Sequence, residues 1–250
     1  MSVLTIRGYT DRPSAAPGER LRVHVSSDQP GEYRAELVRL INGDLNPAAP
    51  GPREDVVPHQ ANGTYSARTQ RTQVGGYVEV PDLRGGLAGT GGLSVHAFVS
   101  AMAPGRGRQG IVSRWDASRE AGWALVVDDD GALAFLVGDG RGATGVVRSD
   151  RPLFPDTFYS VTAVYDAGAA TLTLYQQAVV NSTNSRFGRV FPLDSDTVVT
   201  AGTPVAPTAA EVPVLVAGLA EAAGTDRTWV VGCFNGKIDS PSVRATIVPR

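Results

Sequence analysis

The sequence contains few of the residues that build disulfides, metal sites and acid–base centres. Among 250 residues there are three histidines, one lysine (Lys237) and one cysteine (Cys233). A single cysteine excludes an internal disulfide, and no cysteine or histidine lies at zinc-ligand spacing from Cys233. Cys233 falls in a predicted strand over residues 229–234, in phase with Trp229 and Val231. This position favours a small apolar packing residue over a metal ligand.

An excess of charge and long apolar runs are also missing. The 23 basic and 25 acidic residues leave a net charge of −2, so no electrostatic argument supports a nucleic acid or an anionic membrane as partner. No basic segment followed by an apolar run lies near Met1, and no run is long enough to span a bilayer. We therefore expect a cytoplasmic protein. The composition, rich in Arg, Gly, Ala and Val, suggests a bacterial gene.

Alternation of apolar and polar residues is the dominant pattern and predicts β-strands. Leu93, Val95, Ala97 and Val99 alternate with polar or aromatic neighbours, and residues 21–25, 33–40, 161–165 and 171–175 behave similarly. The only helix candidate, residues 209–223, is interrupted by proline and glycine, and its apolar run 214–216 suits a buried strand better. Many short strands separated by turns predict an all-β sandwich.

Turn residues indicate which strands pair. Asp-Asp-Asp-Gly at 128–131 separates two apolar runs and predicts a hairpin with Gly131 at positive φ. Tyr-Asp-Ala-Gly at 165–168 predicts a second hairpin of the same kind. Residues 42–63 are rich in Pro, Gly, Asn and Ala without periodicity, which indicates a long loop. We therefore predict a small N-terminal β unit and loop over residues 1–75 and a β-sandwich over residues 76–250.

The histidines do not form a recognisable catalytic set. Nucleophilic catalysis needs a serine beside a positioned base, and the sequence has no Gly-x-Ser-x-Gly elbow. His24 and His96 each lie in mid-strand on the polar phase, which favours a structural histidine on a sheet surface. His59 lies in the irregular loop and receives no role.

The acidic residues and tryptophans also favour structural roles. Asp128, Asp129 and Asp130 could bind calcium, but a spaced glutamate is absent, so a hairpin tip is favoured. The same holds for residues 138–140 and 194–196. Glycosidases of this fold class use strand-borne paired carboxylates, and the nearest pair here, Glu79 and Asp82, fails the spacing. Core or edge packing is favoured over sugar stacking for three residues, Trp115, Trp123 and Trp229. The sequence thus assigns no catalytic, cofactor-binding or metal-binding residue.

Residues 176–212 form a predicted connection much longer than a hairpin needs. Large apolar residues such as Phe187 stand there among polar groups such as Arg186. Such a mixture is typical of docking surfaces, but the same side chains could instead cover the domain's own core. With both alternatives open, we predict that Arg186 and Phe187 contact a partner.

Six short strings occur in an order that resembles the laminin-G/concanavalin A-like jelly roll. The strings are Ile-Val-Ser-Arg-Trp at 111–115, Gly-Trp-Ala-Leu at 122–125, Phe-Tyr-Ser-Val at 158–161, Ala-Val-Tyr-Asp at 163–166, Leu-Tyr at 174–175 and Phe-Asn-Gly-Lys-Ile-Asp at 234–239. The resemblance covers roughly residues 76–250 and implies that the last string is the closing strand that returns to the sheet.

A second resemblance covers nearly the whole chain. It rests on the strings Arg-Gly-Tyr-Thr-Asp-Arg-Pro-Ser at 7–14, Ala-Glu-Leu-Val-Arg-Leu-Ile-Asn-Gly-Asp at 35–44, Gly-Arg-Gln-Gly-Ile at 107–111, Asn-Ser-Arg-Phe-Gly at 184–188, Pro-Leu-Asp-Ser-Asp at 192–196 and Ala-Gly-Leu-Ala-Glu-Ala-Ala at 217–223. These strings closely resemble the N-terminal part of the large (beta) subunit of the N,N-dimethylformamidases.

The second resemblance implies a function for the parent enzyme. Enzymes of that family are iron-dependent hydrolases that cleave the amide to formate and dimethylamine and pair a large with a small subunit. Their iron ligands, two tyrosines and a glutamate, lie downstream of the region that this chain resembles. The resemblance therefore implies a non-catalytic region without a cofactor, packed against the catalytic part and the small subunit. The alternative is a free-standing carbohydrate-binding, lectin-like module, which rests on fold analogy alone.

Overall fold

The structure is a computed structural model that describes residues 5–46, 48–71, 73–80, 91–179, 196–222 and 228–248. These residues form strands and turns, which confirms the all-β prediction. Within the described ranges, no helix could cross a membrane. The chain divides into two compact units, Met1–Thr72 and Gln73–Arg250. Gln73 groups with the second unit, ahead of the predicted boundary, because its side-chain amide exchanges two hydrogen bonds with the backbone of Val230, of 2.7 and 2.9 Å.

The small unit consists of three two-stranded ladders. Its strands are β1 (Ile6–Thr10), β2 (Val23–Ser27), β3 (Gly31–Ala35), β4 (Val38–Asn42), β5 (Arg53–Val56) and β6 (Gly63–Ala67), paired as β1–β2, β3–β6 and β4–β5.

Two sequence predictions for the small unit were wrong. The run 33–40 is two strands, because the chain leaves the extended ladder at residues 36–37, where Asn62 Oδ1 accepts a hydrogen bond from Leu37 N at 2.8 Å. The predicted loop over residues 42–63 contains β5, which pairs with β4. All four residues of β5 are exposed, so no face of the strand requires apolar residues and no alternation marks it.

Two sheets form the large unit. Its strands are β7 (Val78–Val80), β8 (Gly92–Ala101), β9 (Gln109–Asp116), β10 (Ala121–Val127), β11 (Ala132–Asp139), β12 (Thr144–Pro152), β13 (Phe158–Asp166), β14 (Thr171–Ala178), β15 (Thr197–Gly202), β16 (Val214–Val216), β17 (Leu219–Ala222), β18 (Trp229–Val231) and β19 (Gly236–Arg244). One sheet has the order β12-β11-β10-β9-β16-β7, with β17 joining β9 and β18. The five-stranded sheet has the order β15-β14-β13-β8-β19.

The main core lies between the two sheets. The predicted inward set of β8, from Leu93 to Val99 at every second residue, is fully buried in it. Trp123, Leu125 and Phe135 join the same core from the larger sheet. Strand β19 pairs with β8, which confirms the predicted closing strand. The run 214–216 is the predicted buried strand, β16.

The two sheets differ in how their outer faces are covered. Every residue of β10 is buried, because Ala124 and Val126 pack on the outer face against Trp115 and Leu219. The outer face of the five-stranded sheet carries half-buried polar side chains instead, such as His96 and Thr162. This face is therefore the more accessible side of the sandwich.

Both predicted hairpins are present, but one turn uses a different residue. The tip at 128–131 joins β10 to β11, with Gly131 at a φ of 84° as predicted. In the β13–β14 hairpin the positive φ of 51° belongs to Ala170, and the prediction for Gly168 was wrong. The turn is longer than predicted, because the Asp166 carboxylate accepts a hydrogen bond from Ala169 N at 3.0 Å.

The predicted long connection 176–212 is only partly a loop. Strand β14 extends to Ala178, and β15 pairs with it as an edge strand. In the segment after β15, Val205, Ala210 and Val212 are buried, so this part covers the domain's own core. Arg186 and Phe187 lie outside the described residues.

Candidate functional site

The candidate site lies on the accessible outer face of the five-stranded sheet. His96 on β8 stands opposite Thr162 on β13 and opposite Ser242 on β19. Ser94 and Arg244 stand opposite each other one pleat further along. Since side chains at every second position share a face, these five side chains project from the same side of three adjacent strands.

A cavity of about 320 Å³ opens over these side chains. Its lining includes Ser94, His96, Thr162, Ser242, Arg244 and Val248. This volume lies at the lower end of the range of small-molecule sites, roughly 300–1,000 Å³.

Hydrogen bonds hold the floor and one wall of the cavity. His96 Nδ1 lies 2.9 Å from Thr162 Oγ1, and the edge of the Phe98 ring packs against the imidazole with 5.1 Å between ring centroids. The Ser94 hydroxyl donates to Thr246 O at 2.8 Å and accepts from Val248 N at 3.0 Å. These two bonds fix residues 246–248 against β8, which places Val248 at the side of the cavity.

The charge at the site is positive. Arg244 is exposed, and within the described part of the chain no carboxylate pairs with it. The other polar side chains that line the cavity, among the residues the structure describes, are an imidazole and hydroxyls, and none of them is acidic. The arrangement offers hydrogen bonds and one positive charge to a small polar ligand.

A one-residue bulge in β19 places Arg244 on this face. Asp239 stands opposite Phe98 and Ser242 opposite His96, so β19 uses three steps where β8 uses two. Ser240, inside the bulge, has a φ of 47°. An extra residue reverses which side chains face outward, so without it Arg244 would point to the opposite face.

The other two histidines lie in the small unit. The His24 ring stacks on Tyr9 with 4.9 Å between centroids, and both line a second cavity of about 410 Å³. His59 Nδ1 accepts a hydrogen bond from Ala61 N at 3.1 Å in the exposed loop. Among the described residues, neither His24 nor His59 forms a hydrogen bond to a serine or an acid as in a catalytic triad.

The acidic tip at 128–131 is a hairpin turn, as the sequence favoured, but the expected solvated tip is wrong for Asp128, which is buried and paired with two arginines. Asp128 accepts from Arg108 Nη2 at 2.9 Å and lies 3.4 Å from Arg148 Nη1. Burial alone raises the pKa of Asp128, but the Arg108 hydrogen bond, the Asp129 N–H and the two arginine charges outweigh it and lower that pKa from 3.8.

The predicted turn at 138–140 is stabilised by the carboxylate of Asp139. Asp139 Oδ1 accepts hydrogen bonds from Arg141 N at 2.8 Å and Ala143 N at 3.1 Å. These backbone donors, the Arg141 N–H first, lower the pKa of Asp139. Asp196 Oδ1 accepts from Ala178 N at 3.0 Å, and the rest of the 194–196 turn lies outside the described residues.

The tryptophans and Cys233 have packing roles. Trp123 and Trp115 are buried in separate clusters, and Trp229 is half-buried in β18. Cys233 packs against the second core cluster and donates to Val74 O at 3.4 Å. It lies just beyond β18, because Gly232 has a φ of 55° and ends the predicted strand early. Burial raises the pKa of the Cys233 thiol.

Glu79 is exposed on β7, and Asp82 lies outside the described residues. Across the described ranges, no three His, Cys, Asp or Glu side chains come close enough together to hold a metal ion. Of the candidate residues considered from sequence, the structure brings only His96 into the site described above.

Two curated relatives match nearly the whole chain. The N,N-dimethylformamidase beta subunit of Paracoccus aminophilus is 55% identical over 245 residues, which is 97% of this chain and 32% of that protein. The N,N-dimethylformamidase beta subunit of an Alcaligenes species is 52% identical over the same share. The chain thus spans about a third of the length of these relatives.

Fold comparisons agree with the sandwich described above. Superposition on the NanB sialidase of Streptococcus pneumoniae gives a TM-score of 0.50 at 11% identity, over 72% of this chain and 26% of that one. The sequence model of the concanavalin A-like lectin/glucanases superfamily matches residues 72–219, more than half of the chain. The chain therefore belongs to the concanavalin A-like lectin/glucanases superfamily.

Proposed function

We propose that this chain is a non-catalytic β-sandwich region of an N,N-dimethylformamidase-like amide hydrolase and that it serves assembly with the rest of that enzyme. The observation that carries the proposal is the 55% identity over 97% of the chain, against 32% of the Paracoccus aminophilus beta subunit. Identity at this level along both compact units supports a shared role for the whole segment. In this proposal the hydrolysis, its iron and the small subunit belong to parts of the enzyme outside this chain.

The small unit supports an assembly role. Among its described residues only Ser27 and Ala67 are buried. Large apolar side chains are exposed there, among them Val23 and Leu40, each 60% exposed, and Leu45, 81% exposed. Exposed apolar surface on this scale is typical of interaction sites. We assign its cover to the portion of the beta subunit that the relatives have and this chain does not span.

An assembly experiment tests this proposal. The purified chain is mixed with the complementary two-thirds of the Paracoccus aminophilus beta subunit and run on a sizing column. We expect the two pieces to co-elute. A variant with Val23→Ser and Leu40→Ser should co-elute less while keeping its own melting temperature. Separate elution of two folded pieces would contradict the assembly role.

An activity experiment tests the non-catalytic part of the proposal. The chain alone should release no dimethylamine from dimethylformamide, with or without ferrous iron. The physical reason is that across the described ranges no three His, Cys, Asp or Glu side chains come close enough together to hold the metal ion that such a hydrolysis needs. Turnover above a heat-inactivated control would refute this part.

Carbohydrate binding is the second candidate function. It is favoured by the polar cavity on the accessible sheet face, which offers hydroxyl groups and an imidazole. A glycan array probed with the purified chain would detect such a module, and binding of a neutral oligosaccharide would favour this candidate.

A further inference from the structure

We propose that the cavity over the five-stranded sheet binds a small carboxylate that also carries hydroxyl groups, such as a hydroxy acid or a sugar acid. The inference concerns the sandwich by itself and does not rest on the assembly role proposed above.

The charge of the cavity determines the ligand class. Among the described lining residues, Arg244 is the one arginine or lysine, and no aspartate or glutamate is present to neutralise it. A guanidinium presents a planar pair of donors that matches a carboxylate in a bidentate arrangement. One positive charge suits a monoanion, whereas a phosphate dianion would leave uncompensated charge.

The remaining lining determines the rest of the ligand. The His96 imidazole, which lies 2.9 Å from Thr162 Oγ1, and the Ser160 and Ser242 hydroxyls are hydrogen-bonding groups. Such groups match hydroxyl substituents of a ligand better than an alkyl chain. The volume of about 320 Å³ accommodates a single six-membered ring with its substituents.

The local backbone supports a binding role for this face. The bulge that turns Arg244 outward contains Ser240 at a φ of 47°, a conformation that costs a non-glycine residue free energy. Bulges of this kind re-aim side chains and are frequent beside functional sites. Here the bulge places the guanidinium in the same row of side chains as Ser94, one pleat from His96.

Titration followed by nuclear magnetic resonance tests the inference on the 250-residue chain. The probes are D-glucuronate and D-glucose, which share a ring and differ by the carboxylate. We expect glucuronate to shift the amide signals of Ser94, His96 and Thr162, and an equal concentration of glucose to leave them in place. Equal binding of both sugars would overturn the carboxylate assignment and would point to a neutral-sugar module.

Single substitutions test whether the positive charge of Arg244 binds the carboxylate. Arg244→Gln should raise the dissociation constant for glucuronate at least about tenfold, as expected for losing a charged hydrogen-bonding pair. The control is Lys237→Gln, a cation on the same strand that stands opposite Ser100 and does not line the cavity. It should change the constant less than about twofold. Thr162→Val, which removes the hydroxyl beside His96, should weaken binding about threefold, the size expected for one neutral hydrogen bond.

Three further results would overturn the proposal. They are an unchanged constant in Arg244→Gln, an equal loss in Lys237→Gln, and shifts confined to residues away from the cavity. If Arg244→Gln does not fold, Arg244→Lys keeps the charge without the planar fork, and an affinity equal to that of the unaltered chain would count against bidentate binding. Since no step involves another part of the enzyme, failure here would leave the co-elution result unaffected.

Discussion

Asp128 holds the hairpin tip together by pairing with two arginines. Its side chain is largely buried between Arg108 and Arg148, so removing the charge takes this carboxylate from Arg108, while Arg148 keeps its ion pair with Asp130 at 2.8 Å. We predict that Asp128→Asn lowers the free energy of unfolding at pH 7 by roughly 1–3 kcal/mol. Urea unfolding monitored by tryptophan fluorescence measures the change. Asp129→Asn, an exposed neighbour, should change it little.

The effect of Asp128 should depend on pH. The folded state lowers the pKa of Asp128 below 3.8, so the unfolded chain binds the proton more readily. The stabilisation is therefore present above about pH 4 and is lost as the pH falls through the folded-state value. The difference between the unaltered chain and Asp128→Asn should shrink between pH 5 and pH 3. If the difference in stability grows as the pH falls, folding does not lower the pKa of Asp128, and this account of the turn is contradicted.

Ala170 carries backbone strain that a glycine would relieve. Its φ of 51° lies in the left-handed region, where a Cβ atom is disfavoured. We predict that Ala170→Gly raises the stability by about 0.5–1 kcal/mol, seen as a higher melting temperature. The reverse change at the other hairpin, Gly131→Ala, should lower it, because Gly131 has a φ of 84°. A lower melting temperature for Ala170→Gly would contradict this account of the turn.

Sequence reasoning predicts residue roles where one local force dominates. Asp128 and Gly131 follow from turn chemistry, which acts over a few residues. Ala170 could not be predicted, because the length of its turn depends on the Asp166 carboxylate capping Ala169 N. The position of Arg244 on the outer face could not be predicted either. It depends on a bulge between Asp239 and Ser242, and the alternation of apolar and polar residues does not reveal that bulge.

At the scale of elements, the close pairing of β9 with β10 depends on Gly122. A Cβ atom there would overlap the carbonyl oxygen of Arg114, and the φ of Gly122 is 99°. We predict that Gly122→Ala lowers the free energy of unfolding by more than about 3 kcal/mol or prevents folding. Circular dichroism during thermal unfolding measures this.

The matched control is another strand glycine. Gly202 ends β15, has no atom within 4 Å of an added Cβ and lacks a positive φ. Gly202→Ala should therefore leave the melting temperature nearly unchanged. If Gly122→Ala and Gly202→Ala lower the melting temperature equally, strand glycines stabilise the fold for a reason other than the close approach of β9.

Alternation identified the strands that have one face in the main core, such as β8 and β13, because burial on one side selects every second residue. Alternation failed for β5, because all four of its residues are exposed and three of them are charged, so neither face of the strand is marked by apolar residues. Only part of the site could be predicted from the sequence. Alternation placed His96 on the polar face of its strand, but its neighbours on β19 lie more than 140 residues further along the chain. Such register is a property of the folded sheet.

At the scale of the whole molecule, one prediction concerns the part that residues 180–195 take in assembly. We keep the prediction that Arg186 and Phe187 contact the catalytic part or a partner subunit. In a complete enzyme, Arg186→Ala with Phe187→Ala should weaken assembly on a sizing column, because a charged and an aromatic anchor would be lost together. The isolated chain should keep its melting temperature. If the isolated chain unfolds and assembly of the remaining enzyme is intact, the segment covers the core instead.

The most direct test of the central claim is the activity of a chimera. In the Paracoccus aminophilus enzyme, this chain replaces the aligned third of the beta subunit, and dimethylamine release from dimethylformamide is measured alongside the chain alone. The account predicts that the chimera assembles and hydrolyses the amide, and that the chain alone does not. A folded chimera that fails to assemble, or hydrolysis by the chain alone, would contradict it.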